Sequence, residues 1–249
     1  MSKLSVFTIA DIVKLTNNIK TAYSLLDRLM KKGLAKKIRS NIYSCVNVAT
    51  GQVLSSRYQI ACAVNSSTYL SHHTAFEYHA LANQVYYEVY ISSGTRFKDF
   101  EFEGINYKYV ASKFTDGVIV PRNTEGIRVT DLERTVVDSI KDFEKIGGFE
   151  ELLQCMEGIT YLDEEKLIKY LDGYGIQGLY QKAGFILEQY LYDFNISKGF
   201  FDYCKSKMGK STRYLFKETA GEKIYKSEWQ LVIPQNLHSI TDKGGDILV

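Results

Sequence analysis

Residues 8–46 read TIADIVKLTNNIKTAYSLLDRLMKKGLAKKIRSNIYSCV, and the punctuation of this stretch specifies three short elements in succession. Thr8 followed by Asp11 is a capping-box pattern, and Ile9, Ile12 and Val13 fall on one face of the helix it opens. That helix is expected to end near Thr16, where Asn17-Asn18 supplies a turn able to cap the next one. The second helix, about Ile19 to Lys32, carries Ala22, Leu25, Leu26, Leu29 and Met30 as an apolar stripe, and Gly33 stops it. Its opposite face shows Lys20, Thr21, Ser24, Arg28 and Lys31, with Lys32 at the end. Leu34–Val46 then reads as a β-hairpin turning at Ser40-Asn41, with Lys36, Lys37 and Arg39 on its first arm.

Two short helices joined by a tight turn, the second basic on its outer face, form the helix-turn-helix pattern. A basic hairpin directly after them makes it a winged helix-turn-helix. A helix about 20 Å long fits the major groove of duplex DNA. Lys20, Thr21 and Ser24 would face base edges, the wing residues Lys36, Lys37 and Arg39 would reach flanking phosphates, and Arg28, Lys31 and Lys32 complete the expected DNA-binding set. The competing reading is a packing module whose lysines are merely solvated. RNA is disfavoured, because no run of sheet aromatics suited to stacking single-stranded bases occurs.

Charge distribution points the same way. Residues 1–50 hold nine basic side chains (Lys3 among them) and two acidic ones, a net +7, leaving −5 for the remaining residues of a chain of net charge +2. The rest of the composition is that of an ordinary folded protein: 249 residues, 45% hydrophobic, 24% charged, two prolines. No stretch approaches the ~20 apolar residues of a membrane helix. The opening MSKLSVFTIAD lacks the apolar centre of a secretory signal, so none is expected. Cys45, Cys62, Cys155 and Cys204 are scattered without a CxxC pair, which fits reduced thiols in the cytoplasm.

Beyond a junction at Thr50-Gly51, helices are expected over 53–64 and 71–81. A strand is expected through Val85, Tyr87, Val89 and Ile91, and a hairpin turning at Glu103-Gly104. Two short strands should flank Asn123–Gly126, and Thr130 with Glu133 forms a second capping-box pattern opening a helix. Helices follow over 148–157, 163–172, 178–193 and 198–207, with short strands near Tyr214–Lys217 and Trp229–Ile233. The expected architecture is α+β: an N-terminal winged helix-turn-helix in residues 1–50, connecting helices to about 80, and a mixed α/β C-terminal domain over 81–249 whose later half is helical.

No catalytic constellation stands out along the sequence. His72, His73, Glu77 and His79 lie close in sequence, yet no HExxH motif or cysteine partner completes a zinc set. Asp99, Glu101 and Glu103 alternate along one strand but lack the lysine sequel of a metal nuclease. Asp131, Arg134 and Asp138 at i, i+3 and i+7 read as a structural ion cluster. SSGTRF at 92–97 lacks the strand–loop–helix context of a phosphate-binding loop. No metal, cofactor or enzymatic activity is therefore expected.

The segments GLAKKIRSNIYSC, YLSHHTAFEYHAL and GIRVTDLERTVVDSI, with tyrosine-rich strands between the last two, resemble the AbiEi family of antitoxins from type IV toxin–antitoxin (phage abortive infection) systems. The resemblance rests most on Ser71-His72-His73-Thr74-Ala75 and on Val129 through Asp138, and spans essentially the whole chain. Family hairpins usually carry a Gly-rich tip, whereas this one has Ser40-Asn41. The resemblance implies an N-terminal domain that represses its own operon by binding operator DNA. It also implies a C-terminal domain that counters a nucleotidyltransferase-like toxin without a stable complex. The expected partners are double-stranded operator DNA with repeated half-sites and the cognate toxin, with no membrane. The chain is expected to be monomeric in solution and to associate on DNA. The alternative is a nuclease or nucleotide-modifying enzyme that the winged helix delivers to DNA.

Overall fold

The computed structural model describes residues 5–216 and 221–237; Lys3 and Lys217 lie outside the described residues. The architecture is α+β, and the chain divides into two compact units, Met1–Asp131 and Leu132–Val249. In the first unit, β1 (Val6–Phe7), α1 (Ile9–Thr16) and α2 (Ile19–Lys31) are followed by the hairpin β2 (Ala35–Arg39) and β3 (Ile42–Cys45). The three strands form a sheet in the order β1-β3-β2.

The local signals account for each of these boundaries. The Thr8 side chain accepts from the Asp11 amide while the Asp11 carboxylate accepts from the Thr8 amide, closing the capping box. Asn17 takes the left-handed conformation (φ 50°) that ends α1, and the Asn18 side chain caps α2 by accepting from the amides of Lys20 and Thr21. Gly33, at φ 68°, closes α2, with its own amide donating to Met30 and that of Leu34 to Leu29. These two bonds make a Schellman motif, which satisfies the last carbonyls of the helix.

After α3 (Arg57–Cys62) come β4 (Tyr69–Leu70), α4 (His72–Tyr78), β5 (Glu88–Ser93), β6 (Phe100–Phe102), β7 (Ile105–Ala111), β8 (Val118–Ile119) and β9 (Val129–Thr130). The strands build a mixed sheet in the order β6-β7-β5-β4-β9-β8. β6 and β7 turn at Glu103-Gly104, both at positive φ (51° and 77°), as a two-residue hairpin turn requires.

Two cores explain why the first unit runs to Asp131, past the break at 50–80 that composition suggests. Phe7, Ile12, Ala22, Leu26, Ala35 and Tyr43 pack the helix pair against one face of the β2–β3 hairpin. Ile38 and Ile42 of the same hairpin belong to the core of the larger sheet, with Leu70, Val89, Ile91, Tyr107 and Val129. Alternation along a strand sends successive side chains to opposite faces, so the hairpin is shared between both cores.

Four expectations shift in the first unit. The helix expected over 53–64 is confined to Arg57–Cys62, and that over 71–81 to His72–Tyr78. The strand predicted from Val85 begins at Glu88, leaving Val85 and Tyr87 about three-quarters exposed. Met30, placed in the apolar stripe of α2, is exposed, because the buried residues Ala22 and Leu26 centre the packed face away from it.

In the second unit α5 (Leu132–Lys141), α6 (Phe149–Glu157), α7 (Glu164–Tyr174), α8 (Gln177–Leu187) and α9 (Lys198–Lys207) precede a small sheet. Its strands, β10 (Arg213–Tyr214), β11 (Lys223–Lys226) and β12 (Leu231–Pro234), lie in the order β10-β12-β11. The capping box predicted from Thr130 and Glu133 does not form. Glu133 instead accepts from the Asp163 amide at 3.1 Å and pairs with Lys166 at 3.2 Å, joining α5 to α7. Gly184 in mid-α8 has a packing reason: a Cβ there would lie 2.0 Å from a ring carbon of buried Trp229. No helix among the described residues is long and apolar enough to cross a membrane.

Candidate nucleic-acid interface

On α2, Lys20, Thr21, Ser24 and Arg28 are all exposed, as are Lys31 and Lys32 at its end. They share the side opposite Ala22 and Leu26, because 100° per residue separates polar from buried positions on this helix. Asp27 engages Lys31 at 2.7 Å, but both side chains are more than half exposed, so water and salt weaken that pair. Exposed Ile19 and Tyr23 flank the basic face beside Met30, an apolar margin absent from the sequence-based picture.

The hairpin residues behave differently from one another. Lys37 is exposed and forms no ion pair among the described residues. The Lys36 ammonium is held by the Glu103 carboxylate at 2.6 Å and lies 5.5 Å from the centre of the Phe102 ring. The Arg39 guanidinium sits over Phe100 at 4.7 Å and over Phe97 at 5.7 Å, with one terminal nitrogen buried and without a hydrogen-bond partner. The register shifts between Lys37 and Arg39; Lys36 and Lys37, before the shift, are both exposed, and Arg39, after it, lies on the aromatics. The tip is fastened too: Asn41, at φ 61°, accepts the Ile9 amide at 3.1 Å.

Thus, among the described residues, five cations of the predicted surface are exposed without a contact to the larger sheet (Lys20, Arg28, Lys31, Lys32 and Lys37), while Lys36, though exposed, and Arg39 are tied to that sheet. The Glu103 contact spans 67 residues, so local pattern could not have revealed it. Charge follows the division into units: residues 1–131 carry 16 basic and 10 acidic groups, against 15 and 19 over 132–249.

The histidines of the 71–79 segment make contacts within the first unit. His72 exchanges a hydrogen bond with the Ser71 hydroxyl at 2.8 Å, His73 stacks on Tyr86 at 3.8 Å, and His79 bonds the Thr130 carbonyl at 2.8 Å. No group of three or more His, Cys, Asp or Glu residues suited to hold a metal occurs among the described residues.

Of the predicted ion cluster, Asp131 ends the first unit, its amide donating to the Gly117 carbonyl at 2.7 Å. In the second unit Arg134 and Asp138, both 1% exposed, pair at 2.6 Å. The Tyr174 hydroxyl donates to the same Asp138 oxygen at 2.5 Å and accepts from Arg134 at 3.1 Å. Burial, and then the Asp138 carboxylate, push the Tyr174 phenol well above its ordinary range, so it remains a proton donor.

No family model matches the chain, and no curated protein matches it. A solved structure does: the crystal structure of the RV2827C protein from Mycobacterium tuberculosis superposes with a TM-score of 0.63 at 16% sequence identity, covering 93% of this chain and 87% of that one. At that identity the similarity is one of fold.

Proposed function

We propose that this protein is a cytoplasmic DNA-binding repressor of its own operon, and that it also neutralises a nucleotidyltransferase-like toxin, as its resemblance to the AbiEi antitoxins implies. It acts by binding rather than by catalysis. In this reading α1, α2 and the β2–β3 hairpin are a winged helix-turn-helix, with α2 as the recognition helix. The observation that carries it is the outer face of α2, where Lys20, Thr21, Ser24 and Arg28 are all presented to solvent, with Lys31 and Lys32 following, on a helix capped at both ends. Thirteen residues give a helix about 20 Å long, matched to the major groove. The hairpin stands immediately after it, anchored through Asn41, and offers Lys37 to the flanking phosphates.

The electrostatics supports the same division of labour. Phosphate contact releases counterions and rewards a basic surface, which the first unit has, whereas the second carries the net negative charge. Antitoxicity belongs to the second unit in this proposal. A single small module buries only about 600–1,000 Å² on DNA, so two protomers on repeated half-sites are expected.

The test is an electrophoretic mobility shift with DNA from upstream of the gene, as a function of salt. With about four phosphates met per protomer, log K should fall against log salt with a slope near −4. Lys37→Ala should lower the slope by about one and weaken all sequences alike, while Thr21→Ala or Ser24→Ala should alter sequence preference. Binding that does not respond to salt refutes the proposal. Co-expression with the toxin should show protection retained by Lys37→Ala.

A further inference from the structure

We propose that the second unit holds a binding site for a di- or triphosphate group, in a cavity of about 360 Å³ between the start of α8, the end of α5 and strand β10. Lys141, Lys182 and Arg213 line it together with Gln177, Gly178 and Tyr214, and none of the lining residues is acidic. Three cations around one cavity, in a unit with 19 acidic and 15 basic residues, run against the local charge balance. Asp142, outside the lining, pairs with Lys141 at 2.6 Å and with Lys145 at 3.0 Å, and the Lys182 ammonium lies 5.2 Å from the centre of the Phe143 ring.

The placement of Arg213 is the telling feature. A Cβ on Gly178 would touch the Arg213 Cγ at 3.6 Å, so the arginine stem lies over the first turn of α8. The start of a helix carries partial positive charge and free amide donors, where a cation is disfavoured and an anion favoured. The N-cap residue is Ile176, and no side chain caps this turn. Arg213 forms no ion pair among the described residues. Cationic side chains brought to the positive end of an 11-residue helix become favourable once a polyanion is shared between them and the Gln177 and Gly178 amides. The volume lies in the range of small-molecule sites and exceeds the needs of a single phosphate, while half-exposed Tyr214 offers a ring at the rim. The phosphate chain is the shared chemistry of two sources, free polyphosphate and a nucleotide.

The experiment is isothermal titration of the full chain with inorganic triphosphate and, separately, with ATP. Both should bind, and Arg213→Gln should weaken binding at least tenfold with an unchanged melting temperature. Lys198→Gln, which removes an exposed charge of the same unit outside the cavity, and Lys37→Ala in the first unit should each change binding less than twofold. Tighter binding of ATP than of triphosphate assigns the site to a nucleotide; equal or weaker binding assigns it to free polyphosphate. No binding of either probe at millimolar concentration overturns the proposal, as does equal weakening by Arg213→Gln and Lys198→Gln. It is also overturned if Arg213→Gln leaves triphosphate binding intact but lowers affinity for a duplex oligonucleotide, since the cations would then serve nucleic acid.

Discussion

Arg134→Ala is expected to be the most destabilising single charge removal in the second unit. Arg134 and Asp138 are each 1% exposed and share a 2.6 Å hydrogen-bonded pair, with the Arg134 guanidinium over the rings of Tyr170 (5.9 Å) and Tyr174 (5.3 Å). Truncation leaves the Asp138 carboxylate buried beside a void, with the Tyr174 hydroxyl as its remaining donor from this trio. Stripping one partner from a buried ion pair costs about 3–5 kcal/mol. If the unit of roughly 120 residues melts independently, about 0.25 kcal/mol per kelvin of unfolding entropy converts this to a fall of roughly 12–20 °C. If both units melt together, the fall is about half that. The assay is a thermal melt of the full chain beside Arg134→Leu/Asp138→Leu, which removes both charges and replaces them with apolar volume. That double variant should recover most of the loss, because no ion is then buried alone. Tyr174→Phe should cost about 1–3 kcal/mol, the price of one hydrogen bond to a buried charge. A loss below about 1 kcal/mol for Arg134→Ala, or a double variant no better than the single one, would refute the reasoning.

Other outcomes follow from particular contacts. Glu103→Gln should release Lys36 from its ion pair and steepen the salt dependence of DNA binding by about one unit, measurable in the same mobility shift; an unchanged slope would mean Lys36 does not reach DNA. Gly184→Ala should unfold the second unit or lower its melting point severely, since its Cβ would overlap the Trp229 ring, and near-neutral behaviour would show that the ring moves aside. Burial lifts the Cys204 thiol to about 12, so it favours the protonated folded state; its contribution is intact below the unfolded thiol's pKa and is lost as pH rises from about 9 toward 12. Cys204→Ala should therefore flatten the decline of melting temperature between pH 8 and 10, and native-state alkylation of Cys62 and Cys204 should be slow, checked by mass spectrometry.

The sequence by itself determined the elements whose cause lies within a few residues. The Thr8–Asp11 box, the Asn17-Asn18 join, the Gly33 stop and the turns at Ser40-Asn41 and Glu103-Gly104 are governed by short-range hydrogen bonds and by allowed backbone angles. The helices of the second unit were legible for the same reason: 3.6-residue periodicity is a local property, and α6, α7 and α9 fall close to their expected spans. The i, i+4 pairing of Arg134 with Asp138 is likewise fixed by helix geometry.

Only the tertiary structure decided which of the basic residues remain available. Lys36, Lys37 and Arg39 look equivalent along the chain, but the distant Glu103, Phe97 and Phe100 divide them into one untethered cation and two tethered ones. The same holds for the extent of the first unit: Ile38 and Ile42 read as ordinary strand residues, and only the arrival of Leu70, Val89 and Val129 against them joins the hairpin to the larger sheet. The cationic cavity was invisible for a related reason, since Lys141, Lys182 and Arg213 lie on three elements far apart in sequence. Local pattern fixes where a side chain sits on its own element; what it meets depends on burial between elements, which is non-directional and acts across any sequence separation.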